Sequence, residues 1–115
     1  MMLYQGSCHC GRIAFEVEGD LYAVKECNCS ICSRLGALRW FVPRSQVRFI
    51  TPESNLSTYQ FGKHRIKHHF CSACGCAPMG TGSHNGVEMF SINVRCLEGV
   101  DLSALKIKQV NGRSF

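Results

Sequence analysis

The sequence predicts a small, mainly β, antiparallel domain stapled by metal, with at most short helical turns. Three observations predict it. Apolar residues recur at alternate positions in segment after segment, the period of a half-buried strand. Helix signals are confined to two short stretches. Nine of the 115 residues are cysteine, grouped tightly at the ends of those segments, where bound metal can make good part of the core that so short a chain lacks.

The elements follow in order. Ile13, Phe15 and Val17 alternate with Ala14, Glu16 and Glu18, which predicts a strand. Ser30 to Leu35 reads as a short helical turn, with Gly36 placed to stop it. Arg39 to Val42 and Val47 to Ile50 are β-rich runs, halted by Pro43 and by Thr51-Pro52. Tyr59 and Phe61 share one strand face, as do Ile66 and Phe70; the stretch from Lys63 to His69 reads as a single strand with a charged face. Asn85-Gly86 signals a hairpin turn ahead of the alternating run Met89 to Val94. Asp101 caps one turn that reaches Leu105, and Lys106 to Val110 forms a last strand before Asn111-Gly112.

Residues 1–115 are expected to make one domain, since neither a linker, a low-complexity segment nor an internal repeat divides them. No apolar run reaches 18 residues, which excludes a transmembrane helix, and Met1 to Cys10 lacks the basic and apolar regions of a signal peptide. The expected location is therefore cytoplasmic. In a reducing compartment a cysteine-rich chain points to metal or thiol chemistry rather than to a disulfide framework. Nine is also odd, and bonds within the groups would close small strained rings. Thirteen Lys and Arg against eight Asp and Glu give a formal charge of +5, yet no uninterrupted run of Lys and Arg exceeds two, so no nucleic-acid partner is expected.

The cysteines form four groups: Cys8-x-Cys10, Cys27-x-Cys29-x2-Cys32, Cys71-x2-Cys74-x-Cys76, and Cys96 alone. A Cys-x2-Cys turn lets two sulfurs reach one tetrahedral zinc, and Gly75 after the second suits the positive φ such turns use. If Cys71 and Cys74 drew their partners from the triple, a single straggler beside the first pair would make a poor second site. If Cys8 and Cys10 complete the set instead, one closed four-sulfur site results and the triple stays whole. Cys27, Cys29 and Cys32 then supply three ligands and leave a fourth position open, the arrangement that separates catalytic zinc from structural zinc. The alternative is closure of the triple by Cys76, Cys96, His64, His68, His69 or His84.

Gly6-Ser7-Cys8-His9-Cys10-Gly11, followed by Arg12-Ile13-Ala14-Phe15-Glu16-Val17, resembles the opening signature of the glutathione-dependent formaldehyde-activating enzyme family. Cys27-Asn28-Cys29-Ser30-Ile31-Cys32-Ser33-Arg34 resembles its second motif, and Phe70-Cys71-Ser72-Ala73-Cys74-Gly75 its third. The stretch from Asn93 to Asp101 extends the likeness over nearly the whole chain. The resemblance implies an Mss4-like, or β-tent, fold. It implies two Zn²⁺ ions per chain, a structural one on Cys8, Cys10, Cys71 and Cys74 and a catalytic one on Cys27, Cys29 and Cys32. It implies a carbon-sulfur lyase-type activity that joins glutathione, or a similar small thiol, to formaldehyde as S-hydroxymethylglutathione.

The chain departs from the pattern at Cys76, where a small or hydroxyl residue is expected. Cys76 and Cys96 read as partly buried spare thiols. His9, flanked by two ligands, reads as pointing away from the metal. Arg34, Arg39, Lys63, Arg65 and Lys67 are candidates to meet the carboxylates of an anionic thiol. Trp40 and Phe41 are candidates to wall the open site. A non-catalytic zinc-dependent structural or interaction module is the competing reading, and it requires both sites to be closed.

Overall fold

The computed structural model describes residues 2–63 and 65–112. Among these the chain forms ten strands and one short helix: β1 (Met2–Ser7), β2 (Ala14–Gly19), β3 (Ala23–Cys27), α1 (Ser30–Leu35), β4 (Arg39–Pro43), β5 (Val47–Phe49), β6 (Leu56–Tyr59), β7 (Ile66–Cys71), β8 (Met79–His84), β9 (Val87–Asn93) and β10 (Lys106–Val110). One sheet has the order β1-β2-β5, and the other β10-β3-β4-β9-β8-β7-β6. All pairings are antiparallel except β10 with β3, which run parallel. The fold is mainly β, as the alternation predicts.

The differences from the sequence reading are local. β1, β3 and β8 carry no clear period: β1 has a single buried residue, Gly6, β3 buries only Val24, and β8 contains Gly80 and Gly82. Neighbouring strands, not their own residues, recruit them. β6 ends at Tyr59, so Phe61 lies beyond it and stacks on Tyr59 at 5.9 Å and on His68 at 5.8 Å. The strand predicted from Lys63 to His69 begins only at Ile66, because Gly62 turns the chain with φ 59°. The helix, its Gly36 stop and the Asp101 cap lie where predicted; the Asp101 carboxylate accepts the Ser103 N–H at 3.0 Å.

Register assigns each face of the large sheet. Trp40, Ile92 and Met79 stand in one cross-strand row, and Val42, Phe90 and Thr81 in the next. Phe15 and Val17 of β2 join these rows in the buried core. His69 belongs to the same face, with its ring nitrogens 2.9 Å from Thr58 Oγ1 and 2.9 Å from Thr81 Oγ1. Both nitrogens are thereby satisfied by hydroxyls. The opposite face carries Arg39 and Phe41 of β4, Ser91 and Asn93 of β9, Gly80 of β8 and His68 of β7. The end of β3 opens onto this second face beside Arg39.

Candidate metal centres

Two turns build the first cluster. The Cys8 N–H donates to Ile13 O at 3.0 Å, closing a loop that presents Cys8 and Cys10, and the Gly75 N–H donates to Cys71 O at 2.7 Å, closing the loop of Cys71 and Cys74. Each loop ends on a left-handed glycine, Gly11 at φ 83° and Gly75 at φ 79°, a backbone state that costs other residues energy. The four sulfurs lie within 4.8 Å of one another. Cys10 Sγ is 3.7 Å from Cys8 Sγ and 3.6 Å from Cys71 Sγ. A tetrahedron with metal–sulfur bonds of about 2.3 Å has edges of about 3.8 Å, so the donor set fits zinc.

Backbone amides prepare these sulfurs for negative charge. The Ile13 N–H donates to Cys8 Sγ at 3.3 Å. The N–H groups of Cys76 and then Cys10 pull the Cys74 thiol down to about 6, and the Cys74 N–H holds Cys71 low as well. At Cys10 the Arg12 N–H works in the same direction, but neighbouring Cys71, burial and Cys8 outweigh it and push the thiol up to about 11. A crowd of thiolates without a cation resists full ionisation, and a divalent metal removes that resistance.

The second cluster is local. β3 delivers Cys27, and the chain turns into α1, whose N-cap is Cys29; its sulfur accepts the Cys32 N–H at 3.4 Å, as a serine or aspartate oxygen would at such a cap. Cys27 Sγ accepts the Cys29 N–H at 3.4 Å. The three sulfurs lie within 4.8 Å of one another, all half-exposed, and among the described residues no fourth His, Cys, Asp or Glu joins the group. Of the donors considered for closure, Cys76 and Cys96 face each other, His69 is held by two threonines, and His64 lies outside the described residues. Burial, then neighbouring Cys29, pushes the Cys32 thiol up to about 12, against the pull of Arg39.

Arg39 is the residue the structure singles out beside this cluster. It is 5% exposed, donates to Ser91 O at 3.3 Å, and forms none of the carboxylate ion pairs found among the described residues. Burial lowers its pKa, and the groups that oppose this are Cys32, then Cys96 and Cys29. A buried guanidinium calls for a counter-charge, and the neighbouring sulfurs would supply it once metal binding ionises them. The sequence signal was an arginine opening the otherwise apolar run Arg39-Trp40-Phe41-Val42.

Other site residues come from the far end of the chain, which no local motif marks. The Asn28 N–H donates to Val110 O at 3.1 Å and Asn28 Nδ2 donates to Asn111 Oδ1 at 3.0 Å, clasping the C-terminal strand over the cysteine turn. Gly112 follows so closely that a Cβ there would stand 2.3 Å from Cys27 Sγ. An open pocket of about 250 Å³ faces Cys27 and Cys32, with Asn28, Ser33, Glu26 and Gln109 around it. Gln109 Nε2 donates to Glu26 Oε1 at 2.9 Å.

The structure separates the remaining candidates. Arg65 and Lys67 line a different hollow beside Glu88, and β7 lies four strands from β3, about 19 Å at the usual strand spacing. Lys63 sits in the turn before β7. Arg34 lies on α1 and donates to Ser30 O at 2.7 Å. Trp40 points into the core against Tyr4, whereas Phe41 shares the face of Arg39 with Lys25 Nζ 5.0 Å above its ring. His9 is exposed.

A twisted β fold carrying one four-sulfur and one three-sulfur cluster defines a class of protein built around cysteine sites able to hold metal. The sequence profile of the glutathione-dependent formaldehyde-activating enzymes matches residues 3–109, and the chain belongs to that family. It is also similar to a Rhodobacter sphaeroides protein of known crystal structure, a structural genomics target. The two are 34% identical, the match covers 90% of this chain and 99% of that one, and the TM-score is 0.77. No helix among the described residues is long and apolar enough to cross a membrane.

Proposed function

We propose that the chain is a zinc-dependent carbon-sulfur lyase-type enzyme that joins glutathione, or a similar small thiol, to formaldehyde or a comparable small aldehyde. In this reading Cys8, Cys10, Cys71 and Cys74 hold a structural zinc, and Cys27, Cys29 and Cys32 hold a second zinc at the reacting site. The observation that carries it is the asymmetry of the clusters: four sulfurs including the buried Cys8 and Cys71, against three half-exposed sulfurs beside a pocket. Family membership supplies the substrate class.

Zinc held by the triple would supply a Lewis-acidic position that favours a thiolate near neutral pH and polarises a carbonyl oxygen. The chain's own residues do the rest. Zinc held by three thiolates would leave the site with a net charge of −1, and Arg39, buried against Cys32, would offset that charge and the further charge of a bound thiol. Asn28, Ser33 and Gln109 offer amide and hydroxyl groups that orient the polar parts of the thiol. The pocket lining contains no cation and one carboxylate, Glu26, which already accepts from Gln109 Nε2, so an anionic thiol would keep its carboxylates toward the Asn28 and Ser33 side. In the reaction the thiol sulfur bonds to the carbonyl carbon and the proton lost by the thiol ends on the carbonyl oxygen; the reverse reaction breaks that bond.

Cobalt substitution followed by addition of glutathione tests the reading. Two metals should bind per chain, one with a four-sulfur spectrum that glutathione leaves alone and one that gains a thiolate. A single metal per chain, or two sites that ignore the thiol, overturns it in favour of a non-catalytic zinc-dependent module.

A further inference from the structure

The two clusters use seven of the nine sulfurs and leave Cys76 and Cys96. Twenty positions apart in sequence, these two meet with their Sγ atoms 3.8 Å apart. The backbone on both sides is already fixed. The Asn93 N–H donates to Pro78 O at 2.9 Å, and Asn93 Nδ2 donates to Ala77 O at 3.2 Å, so the segments that carry the thiols are tied together. The Cys71 N–H donates to Cys76 O at 2.9 Å, and Cys96 closes a 3-10 turn whose successor, Leu97, bridges to Gly6 of β1. Small side-chain rotations within this frame bring the sulfurs toward the bonded separation of about 2.05 Å. Two sulfurs fall short of the ligand set of a protein zinc site. Both thiols are half-buried rather than sealed, so a small oxidant has access.

We propose that Cys76 and Cys96 form a reversible dithiol–disulfide site, oxidised by a low-molecular-weight disulfide and independent of the metal-binding sulfurs. One cysteine attacks the small disulfide, forms a mixed disulfide and releases one small thiol. The second cysteine attacks the protein sulfur of that mixed disulfide, closes the Cys76–Cys96 bond and releases the other small thiol. Two electrons pass to the small disulfide, and the two thiol protons end on the released thiols. Every atom is accounted for without drawing on either cluster. The site would make the thiol-to-disulfide balance of the surrounding pool a second input to a protein whose proposed substrate is a member of that pool.

The test equilibrates the purified protein, its metal content measured, in glutathione buffers of stepped thiol-to-disulfide ratio. Alkylation and peptide mass mapping then report each cysteine. Wild type should lose two hydrogens, with the Cys76 peptide joined to the Cys96 peptide and the metal content unchanged. C76S and C96S should each stop at a mixed disulfide carrying one glutathione. Absence of the Cys76–Cys96 peptide in the most oxidising buffer overturns the proposal, as does oxidation that consumes the cluster cysteines and releases metal. If C96S fails to fold, C76S and the wild-type map decide. Metal content and cobalt spectra, taken on the same preparation, keep this proposal apart from the lyase reading: the crosslink with an unresponsive triple sinks only the lyase, and a responsive triple with no crosslink sinks only the redox pair.

Discussion

The two cysteine clusters use the same ligand chemistry and are wired into the fold differently. The four-sulfur cluster joins segments 61 positions apart, since Cys10 and Cys71 are neighbours, and it places Cys8 and Cys71 among the residues of the hydrophobic core. The three-sulfur cluster forms within the end of β3 and the first turn of α1, with all its members half-exposed. A cluster that closes a long loop shares its free energy with the whole fold. A local cluster held by its own turn can gain or lose metal while the sheets stay intact. On the proposed reading, the long-range sulfurs serve stability and the local ones leave a coordination site accessible.

The largest expected effect breaks the comparison at its stable end. C71S should leave no cooperative thermal transition, because a structural zinc contributes about 10 kcal/mol or more and a domain's net stability is only about 5–15. C29S should keep a folded circular dichroism spectrum and lose one metal. A C71S protein that melts like wild type would remove the distinction. Chelation should run in the same order: a competing chelator takes metal first from the triple, with the near-ultraviolet spectrum preserved, and the second metal leaves only with unfolding.

A sharper test is R39M. Removing the cation against Cys32 should weaken metal binding at the triple by about 10–100-fold, the usual scale for groups that support metal ligands, while the four-sulfur site is untouched. R39K should recover part of the loss; equal affinity in R39M and wild type would sink the role. G112V comes next. Its Cβ would collide with Cys27 Sγ, so metal affinity at the triple should fall several-fold while the melting temperature changes little, as titration and calorimetry would show.

The smallest effect concerns pH. Burial, with a lesser contribution from Arg39, holds the His68 pKa below its ordinary value. The unfolded chain therefore takes a proton near pH 6.5 that the folded chain refuses, and stability falls as pH drops through and below that value. H68Q should flatten this part of the stability profile in denaturant titrations. Because His68 is partly exposed, solvent screening keeps the difference small. An unchanged slope would show that His68 does not titrate differently in the two states.

Much of the fold was legible where a strand has one wet face. Ile13, Phe15 and Val17 announced β2, and Asn85-Gly86 announced the β8–β9 turn, because period and turn chemistry are local properties. β8 itself was not legible. Its glycines have no intrinsic reason to be extended, and β7 and β9 impose the conformation from either side. His69 misled in another way: it looked like a spare ligand, and only the cross-strand register shows it held between Thr58 and Thr81.

The sequence by itself determined the cysteine spacings, the glycines that let two turns aim pairs of sulfurs, the capped turn of α1 and the alternation that makes the protein mainly β. All of these act within a few residues, where sterics and hydrogen bonding are decided by neighbours in the chain. The tertiary structure alone decided that Gly112 and Asn111 close over Cys27 and Asn28, that Arg39 is buried against sulfur, and that Cys76 meets Cys96. Each of these joins residues whose sequence separation carries no local signal, and the pairing of strands brings them together.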